Sequence, residues 1–405
     1  MKVLLVNKFH YRKGGSETYY FSVAEALRQK GHEVIFFAMQ DEKNIPCEQE
    51  KYFVSNKSVG GGIKSKLNMV LHIAYSKEAY KKMQALLAAE KPDLVILNLV
   101  HKQITLSIID AIREHNPNLP IFWTMHDLIA VCPSYTMLDG CGNICEKCLQ
   151  GSFVPCVENR CMKGSRLMSM LSKYEADYIR KRKWYDQVNM FICPSEFYRK
   201  KLAKAGFTKS PIATMRNPLP LNTQYGGGEK GDYILYFGRL SQEKGVKTLL
   251  DAAKITGCRL VVLGTGPCEE ELKEYAKEMP NVEFKGFQTG EPLKNFVKNS
   301  CCVVLPSEWY ENGPYSAMEA MAAGKPLIVS SNGGLPELVD EGENGFIYQG
   351  GAQELATCIQ NMLALSDEEY EKMANCAVDK AKALFNPVKY VAQLEKFYGE
   401  VCHDA

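Results

Sequence analysis

The 405-residue sequence contains no run of eighteen apolar residues, so no segment is long enough to cross a bilayer as a helix. Its first apolar stretch, Val3 to Val6, is too short for the core of a secretory signal, which points to a cytoplasmic protein. Net charge is nearly absent, at +2, and no nucleic-acid partner is expected. The glycine loop "KGGSE" (13–17), after the first apolar run, lacks the G-x-G-x-x-G spacing, so a dinucleotide fingerprint is not supported.

What is present is ample apolar content and unevenly distributed charge. Hydrophobic residues make up 46% and charged residues 24%, enough core for two domains. Residues 1–220 hold 32 Lys+Arg against 20 Asp+Glu, a balance of +12; the remainder holds 17 against 27, or −10. The basic half suits something anionic, a membrane surface or a charged substrate. Within it, "YIRKRKW" (178–184) mixes basic and aromatic residues as membrane-surface segments do, a solvated helix face being the alternative.

Short apolar stretches alternate with amphipathic ones from the start. "KVLLVN", "HEVIFFAM", "KPDLVILNLVH", "LPIFWTMHD" and "VNMFICPSEF" read as strands ending in polar residues. A second series begins after the Pro/Gly-rich "NPLPLNTQYGGGEKGD" (217–232): "YILYFGRL", "RLVVLGTGP", "VEFKGF", "CCVVLPS", "KPLIVSS" and "GFIYQ". Fully apolar strands separated by helices predict α/β architecture: two doubly wound parallel sheets facing across a cleft, over 1–218 and 219–385, with a closing helix over 386–405. Ligands collect beyond the carboxyl ends of such strands, where Asn7, His101, His126, Asp127, Ser195 and Glu196 fall in the first series.

In the second series, "FGRLSQEKG" carries Gly238, Arg239 and Lys244 between a strand and a helix. Two cations five residues apart suit a diphosphate, solvated surface charges being the alternative. "GTGP" with Gly264 and "KGF" with Phe287 follow strands, as turns or as places where a flat ligand meets backbone. "ENGPYSAMEAMAAGKP" (311–326) predicts a helix opening at Pro314 with Gly313 as its cap. Glu319 then stands among Tyr315, Ser316, Ala322 and Ala323. A carboxylate there is partly buried or faces a cleft, and ligand hydroxyls are suitable partners.

Together, "GRLSQEKG", "GTGP", "ENGPYSAMEAMAAGKP" and "GGLPELVDEGENGFIY" resemble the donor-binding half of GT-B glycosyltransferases, two Rossmann-like domains. They resemble in particular the retaining enzymes of glycosyltransferase family four, marked by an E-x7-E pair whose spacing Glu311 and Glu319 share. "GGSE", "MHD" and "CPSEF" fit the family more loosely. The resemblance implies that Arg239 and Lys244 bind the diphosphate of a nucleotide sugar, a UDP-sugar first and a GDP-sugar second. It implies that Glu319 holds the ribose, that Glu311 holds the transferred sugar, and that Phe287 lies beside the base. Gly238 and Gly264, and the amides of Gly313, Tyr315 and Ser316, would line the donor. Gly15 would approach the diphosphate and His126 the sugar. No D-x-D triplet occurs, so Arg239 and Lys244 are expected to take the place of a catalytic metal.

Six cysteines fall between 132 and 161. Cys141, Cys145 and Cys148 have the C-x3-C-x2-C spacing of an iron–sulfur site, but they sit deep inside the first domain. Cys145 with Cys148 and Cys156 with Cys161 make two chelating pairs suited to a structural zinc, with disulfides or free thiols as alternatives. The expected protein is a retaining hexosyltransferase extending a glycan or lipid-linked acceptor of cell-surface polysaccharide, at the inner face of a membrane. A transferase acting on a small soluble acceptor, a non-catalytic nucleotide-sugar binding module and an iron–sulfur redox protein are the alternatives.

Overall fold

A computed structural model describes residues 1–56, 74–226 and 229–403. The chain divides into two compact units, Met1–Leu221 with Pro387–Ala405, and Asn222–Asn386.

The first unit is built on β1 (Lys2–Val6), β2 (Glu33–Phe37), β3 (Leu94–Leu97), β4 (Ile121–Thr124), β5 (Met190–Cys193) and β6 (Ile212–Thr214). They form one parallel sheet in the order β2-β1-β3-β4-β5-β6. Every residue of β3, β4 and β5 is buried, as expected of a sheet covered on both faces. The short edge strand β6 was not foreseen. Its three residues are only half-buried and give no apolar run.

The Gly15–Gln29 helix covers this sheet with Tyr19, Tyr20, Val23, Ala24 and Leu27, all buried, and stops before Gly31 at φ +85°. The Pro387–His403 helix packs against it. Tyr390 and Tyr19 share a hydroxyl contact of 2.5 Å, while Glu395 takes Lys30 at 2.6 Å and His32 at 2.9 Å.

The second unit carries β7 (Ile234–Phe237), β8 (Leu260–Leu263), β9 (Val282–Phe284), β10 (Cys302–Leu305), β11 (Leu327–Ser330) and β12 (Gly345–Tyr348). Their order is β12-β11-β10-β7-β8-β9, again all parallel. The chain winds from β7 to one side and then returns to the other through β10. The carboxyl ends of β7 and β10 therefore flank the point where the order reverses, the favoured place for a ligand.

The Val246–Thr256 helix after β7 is bracketed by Gly245 and Gly257, at φ +66° and +67°. Nothing lies near the α-hydrogens of Gly257, but a Cβ on Gly245 would sit 1.9 Å from the Pro306 carbonyl oxygen. Both sites disfavour side chains, and only Gly245 also lets two loops meet. Gly257→Ala is expected to cost about 1 kcal/mol and Gly245→Ala about 3 kcal/mol or more in urea unfolding. Equal losses would show that the close approach carries no energy.

Candidate functional site

The loop leaving β7 runs through Gly238 and Arg239 to a 3-10 turn at Gln242–Lys244. The buried Tyr236 hydroxyl donates to the Arg239 carbonyl at 2.8 Å and fixes the start of that loop. The Arg239 side chain is exposed and makes no ion pair among the described residues. Lys244 instead reaches the loop after β10, where Nζ lies 2.6 Å from Glu311 Oε1.

Glu311 is the best-held side chain here, only 6% exposed. Its Oε1 also accepts from Ser307 Oγ at 2.7 Å and Trp309 Nε1 at 2.9 Å. The Trp309 ring lies under Lys244 Nζ, 5.0 Å from its centroid. Burial alone would raise the Glu311 pKa, but the Lys244 ammonium overrides it and holds the carboxyl below its ordinary value. The backbone is tied as well, since Gly334 N–H donates to the Glu311 carbonyl at 2.6 Å. Gly333, at φ +71°, allows this approach; a Cβ there would be 2.3 Å from that oxygen. Sequence reading missed Ser307, Trp309 and Gly333. The one available signal was that Ser307, Trp309 and Glu311 alternate along the chain.

Pro314 caps the Tyr315–Ala322 helix, one residue later than the expected cap at Gly313. Its ψ of 133° is extended, so the helix starts at Tyr315. Glu319 is partly buried, and its carboxyl makes no hydrogen bond among the described residues. Burial pushes its pKa up to about 7. Tyr315 is buried, while Gly313 and Ser316 are half-buried.

Phe287 is 70% exposed after β9. Gly264, at φ +129°, packs against backbone, for a Cβ would be 1.8 Å from the Gly238 carbonyl oxygen. The structure therefore explains that glycine without a ligand.

In the first unit Gly15 opens its helix, which leaves the first-turn amides free of intrahelical bonds. His126 Nε2 lies 3.0 Å from Asn98 Oδ1, whose Nδ2 donates to the Val6 carbonyl at 3.1 Å. That orientation puts the imidazole proton on Nε2. The Tyr19 ring packs edge-on at 4.7 Å, and burial lowers the His126 pKa to about 3, so the ring is neutral near pH 7. Burial also lifts Asp127 to about 6. Ser195 and Glu196 have local duties. Ser195 Oγ caps the Glu196–Ala205 helix through Tyr198 N–H at 3.2 Å, and Glu196 accepts from Arg199 Nε at 2.7 Å. His101 Nε2 is 3.2 Å from the Tyr185 hydroxyl.

All fifteen cysteines are free thiols. Cys148, Cys156 and Cys161 pack together around Phe153. Cys145 follows the bridge that pairs Leu138 with Ile144; its N–H donates to the Met137 carbonyl at 2.8 Å and its sulfur accepts from Asn159 Nδ2 at 3.7 Å. Three of the four expected thiols, Cys148, Cys156 and Cys161, thus share one apolar cluster, and Cys145 is not a member of it. Among the described residues no three His, Cys, Asp or Glu side chains are arranged to hold a metal ion. As placed, these thiols do not fit a closed tetrahedral site, and no role for a metal is derived from them.

Two doubly wound parallel sheets, with the charged cluster at the reversal point of the second, define the GT-B class. The chain matches solved structures of that class along its whole length. With sucrose-phosphate synthase from Thermosynechococcus elongatus the TM-score is 0.71 at 20% identity, covering 100% of both chains. With Anabaena HepE in complex with UDP-glucose it is 0.66 at 19%, covering 99% of this chain and 100% of that one. Residues 13–223, more than half the chain, match Glycosyltransferase Family 4, and residues 222–379 match Glycosyl transferases group 1. The protein belongs to glycosyltransferase family 4.

Among curated relatives, an uncharacterized glycosyltransferase of Methanocaldococcus jannaschii is 36% identical over 139 residues, 32% of this chain and 35% of that protein. Lipopolysaccharide 1,2-N-acetylglucosaminetransferase of Salmonella typhimurium is 30% identical over 218 residues, 48% of this chain and 56% of that protein. The matched region thus spans about a third to a half of these relatives' length.

Removing Lys244 would leave Glu311 buried with only neutral donors. Lys244→Met is expected to cost about 3 kcal/mol. Its pH dependence should also reverse. In the wild type the lowered Glu311 pKa gives stability that is present above the unfolded carboxyl value and lost as pH falls through the folded one. In the variant burial would raise that pKa, so stability should increase on acidification. Parallel urea midpoints against pH for the two proteins would refute the pair's importance.

Proposed function

We propose that the protein is a retaining glycosyltransferase moving a sugar from a nucleotide-diphosphate sugar to a glycan or lipid-linked acceptor in cell-surface polysaccharide synthesis. The observation that carries this reading is Glu319. A half-buried carboxyl with no hydrogen-bond partner among the described residues is costly in an apolar helix, and a ribose diol offers it two donors. Arg239 and Lys244 would neutralise the diphosphate without a metal. The Oε2 of Glu311, which takes no hydrogen bond among the described residues, would accept a hydroxyl of the sugar, and Phe287 would lie beside the base.

Several comparisons support the reading. Anabaena HepE has been solved with UDP and with UDP-glucose. Relatives carry names from lipopolysaccharide, colanic acid and amylovoran synthesis. In the proposed reaction the bond from the anomeric carbon to the β-phosphate oxygen breaks as the acceptor oxygen bonds to the same face. The acceptor proton passes to the departing diphosphate. Fixed cations on that leaving group lower the barrier by stabilising the charge it gains.

A thermal-shift and hydrolysis panel of UDP-, GDP- and ADP-sugars tests the reading. One of them, with a UDP-sugar expected first, should stabilise the wild type and leave Glu319→Ala unmoved. If no nucleotide sugar stabilises the protein, or if the variant responds like wild type, the donor site is wrongly assigned.

The raised pKa of Glu319 gives a second check. Only the ionised carboxylate accepts both diol hydrogens, so donor affinity should hold above pH about 7 and fall below it. The loss should be about tenfold one unit lower. Glu319→Gln should bind more weakly and show no such slope, and a slope retained in that variant would assign the titration to another group.

A further inference from the structure

The Arg166–Arg182 helix of the first unit is amphipathic in the unexpected sense. Its buried positions are Ser169, Ser172, Glu175 and Ile179, three of them polar. On the opposite side Leu167 is 65% exposed, Met170 52% and Tyr174 51%. Spacings of three and four put these side chains in one stripe, where a helix of a water-borne domain normally carries charge. The neighbouring Val154–Glu158 helix, packed against this one, exposes Val154 as well.

Both ends of the stripe are cationic. Lys163 and Arg166 are exposed before it, and Lys181 and Lys183 after it; none makes an ion pair among the described residues. The acid on that face, Asp177, is paired with Lys173 at 2.6 Å. The surrounding half of the chain has an excess of twelve positive charges. Bulky apolar side chains between unpaired ammonium and guanidinium groups match the depth profile of an anionic bilayer. There the apolar groups reach the acyl boundary while cations lie among lipid phosphates.

We infer that the Leu167–Met170–Tyr174 face of this helix docks the protein on an anionic lipid surface. This goes beyond the donor-site reading and stands or falls separately from it.

The full chain would be co-sedimented with vesicles of phosphatidylglycerol mixed with phosphatidylcholine, and with phosphatidylcholine alone. The mixed vesicles should bind it about tenfold better or more. The triple variant Leu167→Ser, Met170→Ser, Tyr174→Ser should lose about tenfold in binding. The double variant Lys181→Glu, Lys183→Glu should also lose binding, and what remains should depend less on salt. Circular-dichroism melting and the nucleotide-sugar thermal shift should match wild type in both variants. If the triple variant misfolds, the charge variant decides alone.

Wild-type protein that ignores anionic vesicles would overturn the inference, as would variants that bind like wild type. So would a dimer, seen by light scattering, that the triple variant abolishes, because the stripe would then be covered by a second copy. Vesicle binding without any nucleotide-sugar response would leave the docking face intact and sink only the proposed reaction.

Discussion

One carboxylate oxygen, Oε1 of Glu311, holds the second unit's site together. Lys244 comes to it from the loop after β7, and Ser307 and Trp309 come from the loop after β10. Burying that charge would cost several kcal/mol if it stood alone, and a paired ammonium with two neutral donors offsets the cost. The geometry demanded by this meeting propagates outward. Gly245 has to let the Pro306 carbonyl approach, and Gly333 has to let the Glu311 backbone bridge to the segment after β11. Three loops from three strands are thereby fixed around the point where the sheet reverses its winding.

The architecture was legible because its signal is redundant. Most of the twelve strands among the described residues are apolar runs that end in polar or glycine residues, and a parallel sheet needs little more to be recognised. The strands β6 and β9 are both short, half-buried and at an edge; β9 is read from "VEFKGF", and β6 is the one not read. Single residues at strand ends were less legible. Ser195 and Glu196 have the composition of ligand-binding groups, yet Ser195 caps its own helix, and Glu196 takes Arg199 in that helix and Thr214 on β6. Gly264 reads as a place for a ligand to approach, and it is another carbonyl that approaches. Sequence spacing counts which side chains are near each other in the chain, and the outcome at Gly264 depends on which backbone arrives from elsewhere.

The two glutamates of "ENGPYSAMEAMAAGKP" illustrate what spacing alone conceals. They read as a pair with different ligands, Glu311 for the sugar and Glu319 for the ribose, and they occupy opposite environments. Glu311 is charged and has donors; Glu319 is pushed towards neutrality by burial and has none among the described residues. Environments that drive two like groups apart are how one fold assigns them different work. A group already satisfied serves as architecture, while an unsatisfied one waits for a partner.

That division bears on how Lys244 would meet a diphosphate. An ammonium has three N–H donors, and Glu311 uses one of them. Lys244 could thus bridge the carboxylate and a phosphate oxygen together, with no need to break the buried pair. Glu311 would then act on the leaving group indirectly, by fixing where that cation points. Its Oε1 is saturated by three donors, so only Oε2 remains for a sugar hydroxyl. A carboxylate held this rigidly cannot follow different sugars by moving; it can only accept a hydroxyl that arrives at the one place it leaves open. Selectivity at Glu311 would therefore be set by Ser307 and Trp309, the residues that aim it, as much as by the carboxylate itself.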